Sequence, residues 1–335
     1  MKHLLSFVLG AAIAVAALAY ALSKVDLTAL GRQLAGGNYG LVPAFLVLQT
    51  AYFLVTAVNW TLLLRPLGRY SLRQVLPTMF LGFGGNNVLP AHLGELVRAV
   101  AFARQFKRPT GAVLASLVLE RVLDVLAILV FYFLAVRITR TLPDSIRTGA
   151  EVVAALIVPF CLALFLFLRY PGPFLRLWAW GSAWMPLPLR RKGTSLLEGV
   201  VKGLSAMDSL PHVAGMIGLS LLKWTLGTGM IWLSLRAFGV TVTPGAAMIV
   251  LAVSALAVSL PSAPGYVGTL QASFVFALAP FGIASEVAFA ASVFYMVVLW
   301  VPVTTAGLVS FLALGLKMNQ LRQEVERAES GPGAG

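Results

Sequence analysis

The sequence predicts an all-α, polytopic helical membrane protein, with about six spanning helices plus two re-entrant helical hairpins in inverted repeats. Three observations predict it. Hydrophobic residues make up 59% of the 335 and charged residues only 11%, with a mean hydropathy of +0.89, whereas a soluble domain carries about 25% charged residues. Apolar runs of spanning length recur along the chain. Two further apolar stretches are broken in the middle by Pro and Gly, and their halves fall short of the roughly 20 residues a spanning helix needs.

The opening run, MKHLLSFVLGAAIAVAALAYALS, has a basic start and an apolar stretch of spanning length. No small-residue cleavage site leads from it into a soluble domain, so it reads as a first transmembrane helix near 4–22 rather than a cleaved signal. Further spans are expected near 42–64, 110–136, 149–168, 213–235 and 286–316, the last holding Pro302 as a point of kink or tilt. The broken stretches, 75–104 and 244–280, suit hairpins that enter the membrane and return to the same side. Such backbone is tolerated where it is buried in protein or lines a water-filled cavity. Residues 170–210, which contain RRKG and an amphipathic stretch near 194–207, read as a cytoplasmic interfacial insert. Residues 1–316 are thus expected to form a single transmembrane domain, and 317–335 a charged, disordered cytoplasmic tail.

Basic residues set the orientation. With residues 1–3, 65–109, 169–212 and 317–335 placed inside, that side holds 17 of the 25 Lys and Arg residues. The outer loops hold six, and Arg121 and Lys223 lie within spans. The bias predicts a multi-pass protein of the cell inner (plasma) membrane with both termini cytoplasmic. The net charge of +13 then reflects basic loops against anionic lipid, and nucleic acid is not an expected partner. A single cysteine, Cys161, permits no intramolecular disulfide.

The two broken stretches share a pattern, Leu89-Pro90-x-x-x-Gly94 and Leu260-Pro261-x-x-x-Gly265. In the topology above they enter from opposite sides, as in inverted repeats whose broken helices meet near the midplane and build a substrate site. Ionisable groups at that depth are costly, about 2.5–3.5 kcal/mol each on insertion scales, and therefore informative. Glu95 and Arg98, three apart, are placed to pair on one helix face. Glu120 and Asp124 are four apart, with Arg121 in reach of Asp124, and Lys223 lies inside a later span. Such groups are either ion pairs joining helices or the lining of a cavity where Arg98, Arg121 and Lys223 meet an anionic headgroup, because guanidinium matches phosphate in a bidentate fork. Helix N-termini starting after Pro90 or Pro264 would aim unpaired backbone N–H groups at the same anion. Asn86 and Asn87 serve as caps or ligand contacts. Ser262, Pro264, Gly265 and Tyr266 form the second tip, and Ser262 has no visible base to make it a nucleophile. His92 has no companion ligand, so no metal site is expected. GFGG lacks the strand-turn-helix context and lysine of a P-loop, so no nucleotide cofactor, or any other, is expected.

The segments NNVLPAHLGELVRA, ERVLD and SLPSAPGYVGTLQASF, in that order, resemble the flippase-like integral membrane proteins related to the transmembrane domain of lysylphosphatidylglycerol synthase. The resemblance covers about residues 45–315. It places Asn87, Pro90, Gly94, Glu95, Arg98, Glu120, Arg121, Asp124, Pro261, Pro264, Gly265 and Gly268 on the family's motif positions. It implies a protein that moves or handles lipids, among them aminoacylated phospholipid, isoprenoid-linked sugars and hopanoid-related products. The soluble aminoacyl-transferase domain of the synthases has no counterpart in these 335 residues, so that enzymatic activity is not expected here.

The functional expectation is a lipid transporter, not an enzyme. It would bind an anionic headgroup (phospholipid, isoprenoid phosphate or glycolipid) in an intramembrane polar cavity and translocate it between leaflets. The alternatives are an intramembrane transferase on a lipid-linked substrate and a non-catalytic subunit of an envelope-lipid pathway. Lipid-synthesis enzymes or a second copy of the chain stand as further partners.

Overall fold

Asp26 sets the first corner of the molecule. Its side chain accepts the backbone N–H groups of Thr28 and Ala29 and caps α2 (Leu27–Ala35), while its own N–H donates to Glu286 Oε1 at 3.0 Å. Those N–H bonds hold its carboxyl below the usual carboxylate range. The preceding α1 (Lys2–Ser23) meets α2 at 90°. The computed structural model describes residues 2–89, 93–139, 170–187, 210–259 and 264–315, with isolated positions between 148 and 198.

The remaining helices are α3 (Val42–Leu63), α4 (Leu72–Val88), α5 (Leu93–Gln105), α6 (Thr110–Ile138), α7 (Pro171–Gly181), α8 (Leu210–Ala237), α9 (Pro244–Ser259), α10 (Thr269–Leu278) and α11 (Ser285–Ala313). No strand occurs among the described residues. Residues 39–63, 211–237 and 285–313 are long and apolar enough to cross a membrane, and the bent α1–α2 pair makes a fourth if counted as one span. The 29 residues of α6 have the length, about 43 Å at 1.5 Å per residue, but carry Glu120, Arg121 and Asp124 in the middle. Five of the six expected spans therefore fall on α1, α3, α6, α8 and α11. The sixth, 149–168, lies outside the described residues, as do the tail 317–335 and most of the insert beyond α7.

The two broken stretches are helical hairpins, α4–α5 and α9–α10. Their opposed entry follows from α3 and α8, which run antiparallel. At one end the Asn38 N–H donates to the Ala237 carbonyl at 2.7 Å, and further along Asn59 Nδ2 donates to Ser220 Oγ at 3.1 Å. The first hairpin opens where α3 ends: Tyr70 packs edge-on against Phe102 and Phe106, and Arg108 Nε donates to its hydroxyl at 2.9 Å. Exposed Arg65, Arg69, Arg73, Lys107 and Arg108 crowd this end. The second hairpin opens at the other end, where Phe281 packs on Ala135 and Ile249.

The order long helix, hairpin, long helix thus occurs twice, as α3–α6 and α8–α11. Contacts of the first hairpin have counterparts in the second: α4 lies on α5 and, across the sets, on α11, and α9 lies on α10 and, across the sets, on α6. Two apolar cores form, one around Trp60, Met79 and Phe102 and drawn mostly from the first set, the other around Phe274, Ile231 and Phe294, which also takes in Phe45, Ile128 and Phe131 of the first set. Gly82 and Gly94 let α4 and α5 touch backbone to backbone. A methyl group on Gly94 would overlap the Gly82 carbonyl, and one on Gly82 would lie 2.6 Å from Arg98 Cβ.

Candidate intramembrane ligand cavity

The two hairpins meet through the described residues next to their turns. The last turn of α4 packs on the 3-10 turn Pro264–Tyr266. Gly265 has φ +69, and a Cβ there would lie 2.8 Å from Trp300 Nε1 and 3.4 Å from the Asn87 carbonyl oxygen, so glycine alone fits this approach. Tyr266 follows with φ +60, a strained value for a residue with a bulky side chain. Asn87 is tied to the far wall, with Nδ2 donating to Thr304 Oγ1 at 2.9 Å. The asparagine therefore joins α4 to α11 and does not cap.

Beside the tips lies a cavity of about 490 Å³. Its polar end is formed by Asn86, Asn87, Glu95, Arg121 and Asp124, with Tyr266 and Ser254 nearby. Its apolar walls include Ile128, Leu251, Tyr295, Met296 and Leu299. Exposed lining residues, Arg121 and Val125 of α6 and Ser259 of α9, place the mouth between those two helices.

Three acids and three bases form the ionic cluster behind this surface, and they pair across helices. Glu95, in the first turn of α5 where the helix dipole favours an acid, pairs with Arg121 of α6. Arg98 pairs with Glu120 at 3.1 Å, both almost sealed at 2% and 3% exposure. The Arg98 guanidinium stacks 3.6 Å from the Trp60 ring centroid. Asp124 receives Lys223 of α8 and the Trp224 indole N–H at 3.3 Å, with Arg121 Nη1 at 3.7 Å.

Three expectations are corrected here. Glu95 and Arg98 do not pair; the Arg98 side chain runs back against Gly82 and Trp60, and each residue finds its partner on α6. Of the three bases expected to meet a headgroup, only Arg121 lines the cavity, its side chain 48% exposed, because Arg98 and Lys223 are buried behind it with Glu120. The second-tip helix also starts later than expected. Pro264 opens a 3-10 turn, and α10 begins at Thr269, with the Gly268 N–H donating to Gln271 Oε1 at 2.7 Å. Pro90, His92 and Ser262 lie outside the described residues. Among the described residues no cluster of three His, Cys, Asp or Glu side chains is arranged to hold a metal.

Sequence reasoning missed the residues that hold the cluster from behind. Trp60 was visible only as an Asn59-Trp60 pair inside an apolar span, and Trp224 as the neighbour of Lys223. Tyr52, Trp300 and Thr304 carried no signal. The two halves also differ in chemistry. Both α6 and α11 are 29 residues long. Glu120, Arg121 and Asp124 of α6 fall at the same places along the helix as Tyr295, Met296 and Leu299 of α11. All six except Glu120 line the cavity.

Fold and site define a helical membrane protein with an ionic cavity beside the place where two opposed hairpins meet. The chain belongs to the family described as the lysylphosphatidylglycerol synthase TM region, whose model matches residues 7–307. This makes it a lipid-related membrane protein. A comparison with curated proteins finds no match to it.

Proposed function

We propose that the chain is a lipid carrier that seats a phosphate-bearing headgroup at the polar end of the cavity and passes it between leaflets, while the tails remain in the bilayer. The observation that carries this reading is the exposed Arg121 guanidinium at one end of an otherwise largely apolar cavity that opens sideways between α6 and α9. A guanidinium offers five N–H donors in a fork suited to phosphate, and the apolar wall suits the first carbons of the tails. The opposed hairpins supply the rocking elements of an alternating-access carrier. An intramembrane transferase would need a carboxylate free to act as base, whereas Glu95, Glu120 and Asp124 are each held by a cation. In this reading the protein is no catalyst, lies in the inner membrane and keeps its basic end, with both termini, in the cytoplasm.

The test is reconstitution in liposomes with head-labelled phosphatidylglycerol and quenching of the outer leaflet. Wild type should equilibrate the label between leaflets. Arg121→Gln should stop this while unfolding at nearly the same denaturant concentration, because a half-exposed ion pair contributes about 1 kcal/mol or less. Undiminished exchange by Arg121→Gln would refute the reading.

A further inference from the structure

Arg121 is the base facing the cavity, and its guanidinium is already held by Glu95. The three acids of the cluster differ in what they retain when a second anion claims Arg121. Glu120 keeps Arg98 behind the Trp60 ring. Asp124 keeps Lys223 and the Trp224 indole. Glu95 has no other ion-pair partner among the described residues, so it alone is stripped. Its carboxylate would then stand at the polar end of the cavity beside the arriving anion, with Glu120 and Asp124 behind it, and one proton relieves that crowding of like charges.

We propose that Glu95 holds the place of a monoanionic phosphodiester headgroup on Arg121, and that entry of the headgroup moves one proton from water onto the displaced Glu95. This rests on the lipid reading above. The exchange balances. The Arg121–Glu95 pair, a phosphodiester anion and one proton become an Arg121–phosphodiester pair and a neutral Glu95 carboxylic acid, with the proton's charge cancelling that of the arriving anion. Because Glu95 stands on α5 and Arg121 on α6, the same exchange removes one of the two ion pairs that join these helices among the described residues and leaves Arg98–Glu120 as the other.

Among the described residues, the groups around Glu95 leave no other acid in its position. From α6 come Arg121, Glu120 and Asp124, from α8 Lys223, from α3 Tyr52, from the second tip Tyr266, and from its own helix Arg98. The α4 and α11 walls supply Asn86, Asn87, Trp300 and Thr304, none of which titrates.

The full chain in nanodiscs of neutral lipid is titrated with phosphatidylglycerol between about pH 5 and about pH 8. With one proton linked to binding, the apparent Kd should rise about tenfold per pH unit wherever Glu95 is charged in the free protein. In weak buffer, wild type should take up about one proton per chain as the lipid binds, a readout that needs no variant. Glu95→Gln should flatten the pH profile and bind more tightly than wild type at the alkaline end. An unchanged slope in Glu95→Gln, or no proton uptake by wild type, with binding intact, overturns this inference and leaves the lipid reading standing. No phosphatidylglycerol binding at any pH overturns both. Equal competition by soluble glycerophosphoglycerol overturns the assignment to a lipid.

Discussion

Arg98 and Glu120 are the pair whose loss should be felt in stability rather than in ligand binding. Both are nearly sealed, 3.1 Å apart, with the guanidinium 3.6 Å from the Trp60 ring centroid. Glu120→Gln leaves a buried guanidinium without its counter-charge, which costs about 3–5 kcal/mol. Arg98→Gln strands the carboxylate at similar cost and also removes the ring contact, about 2 kcal/mol when desolvated, so it should be the more damaging single change. The double change Arg98→Gln with Glu120→Gln strands no charge and loses chiefly the ring contact. It should therefore be milder than either single change, about 1–3 kcal/mol, because breaking a buried pair costs more than replacing it. The assay is unfolding in mixed micelles of a mild detergent with rising SDS, read as a double-mutant cycle. A double mutant whose loss equals the sum of the two singles would refute the reasoning, since it would mean the two charges do not interact.

Gly94→Ala should lower stability by about 1–3 kcal/mol in the same assay, because its methyl overlaps backbone of α4 and forces the hairpin limbs apart; an unchanged midpoint would mean the hairpin is looser than described. With Cys161 replaced by Ser, cysteines introduced at Lys107 and Ala284 should react with an impermeant maleimide from opposite sides of a vesicle; labelling from one side would remove the opposed entry of the hairpins. The Asp26 carboxyl, held below its usual range by the Thr28 and Ala29 N–H groups, contributes stability in full above about pH 4 and loses it as pH falls through its lowered value. Asp26→Asn should accordingly be less stable than wild type at neutral pH, with the gap closing in acid; a constant gap would show that the charge on the cap is irrelevant.

The hairpins were legible because Pro and Gly interrupt apolar runs at matching places, and the bilayer allows few uses for a half-length helix. The stretches 75–104 and 244–280 differ from α4–α5 and α9–α10 by only a few residues at their ends. The spans on α3, α8 and α11 were legible from hydropathy. Which charges belong to the interior was also legible, since nothing else explains acids in the middle of a 29-residue apolar helix. Their partners were not. Spacing along α5 suggested Glu95 with Arg98, but spacing ranks neighbours on one helix and cannot weigh them against a base on another. The close approach at Gly82 turns Arg98 toward Trp60, and only the packed helices show that this leaves Glu95 for Arg121. The roles of Trp60 and Trp224 were hidden for a simpler reason. An aromatic residue in an apolar run looks the same whether it meets lipid, core or a buried cation.

The mismatch between α6 and α11 reads as a division of labour within a duplicated scaffold. If the two halves descend from one ancestral unit, one copy has kept or acquired the ionic grip and the other has been released from it, retaining only a smooth wall of Tyr295, Met296 and Leu299. Selection then acts on the halves by different rules. Along α11 apolar residues of similar volume can replace one another freely, so this wall can be reshaped to suit a different tail or a bulkier neighbour without disturbing recognition. Along α6 no such drift is open, because each acid there answers to a base on another helix and must change together with it. A lineage of such proteins could thus diversify in what they carry through one wall while the opposite wall stays fixed.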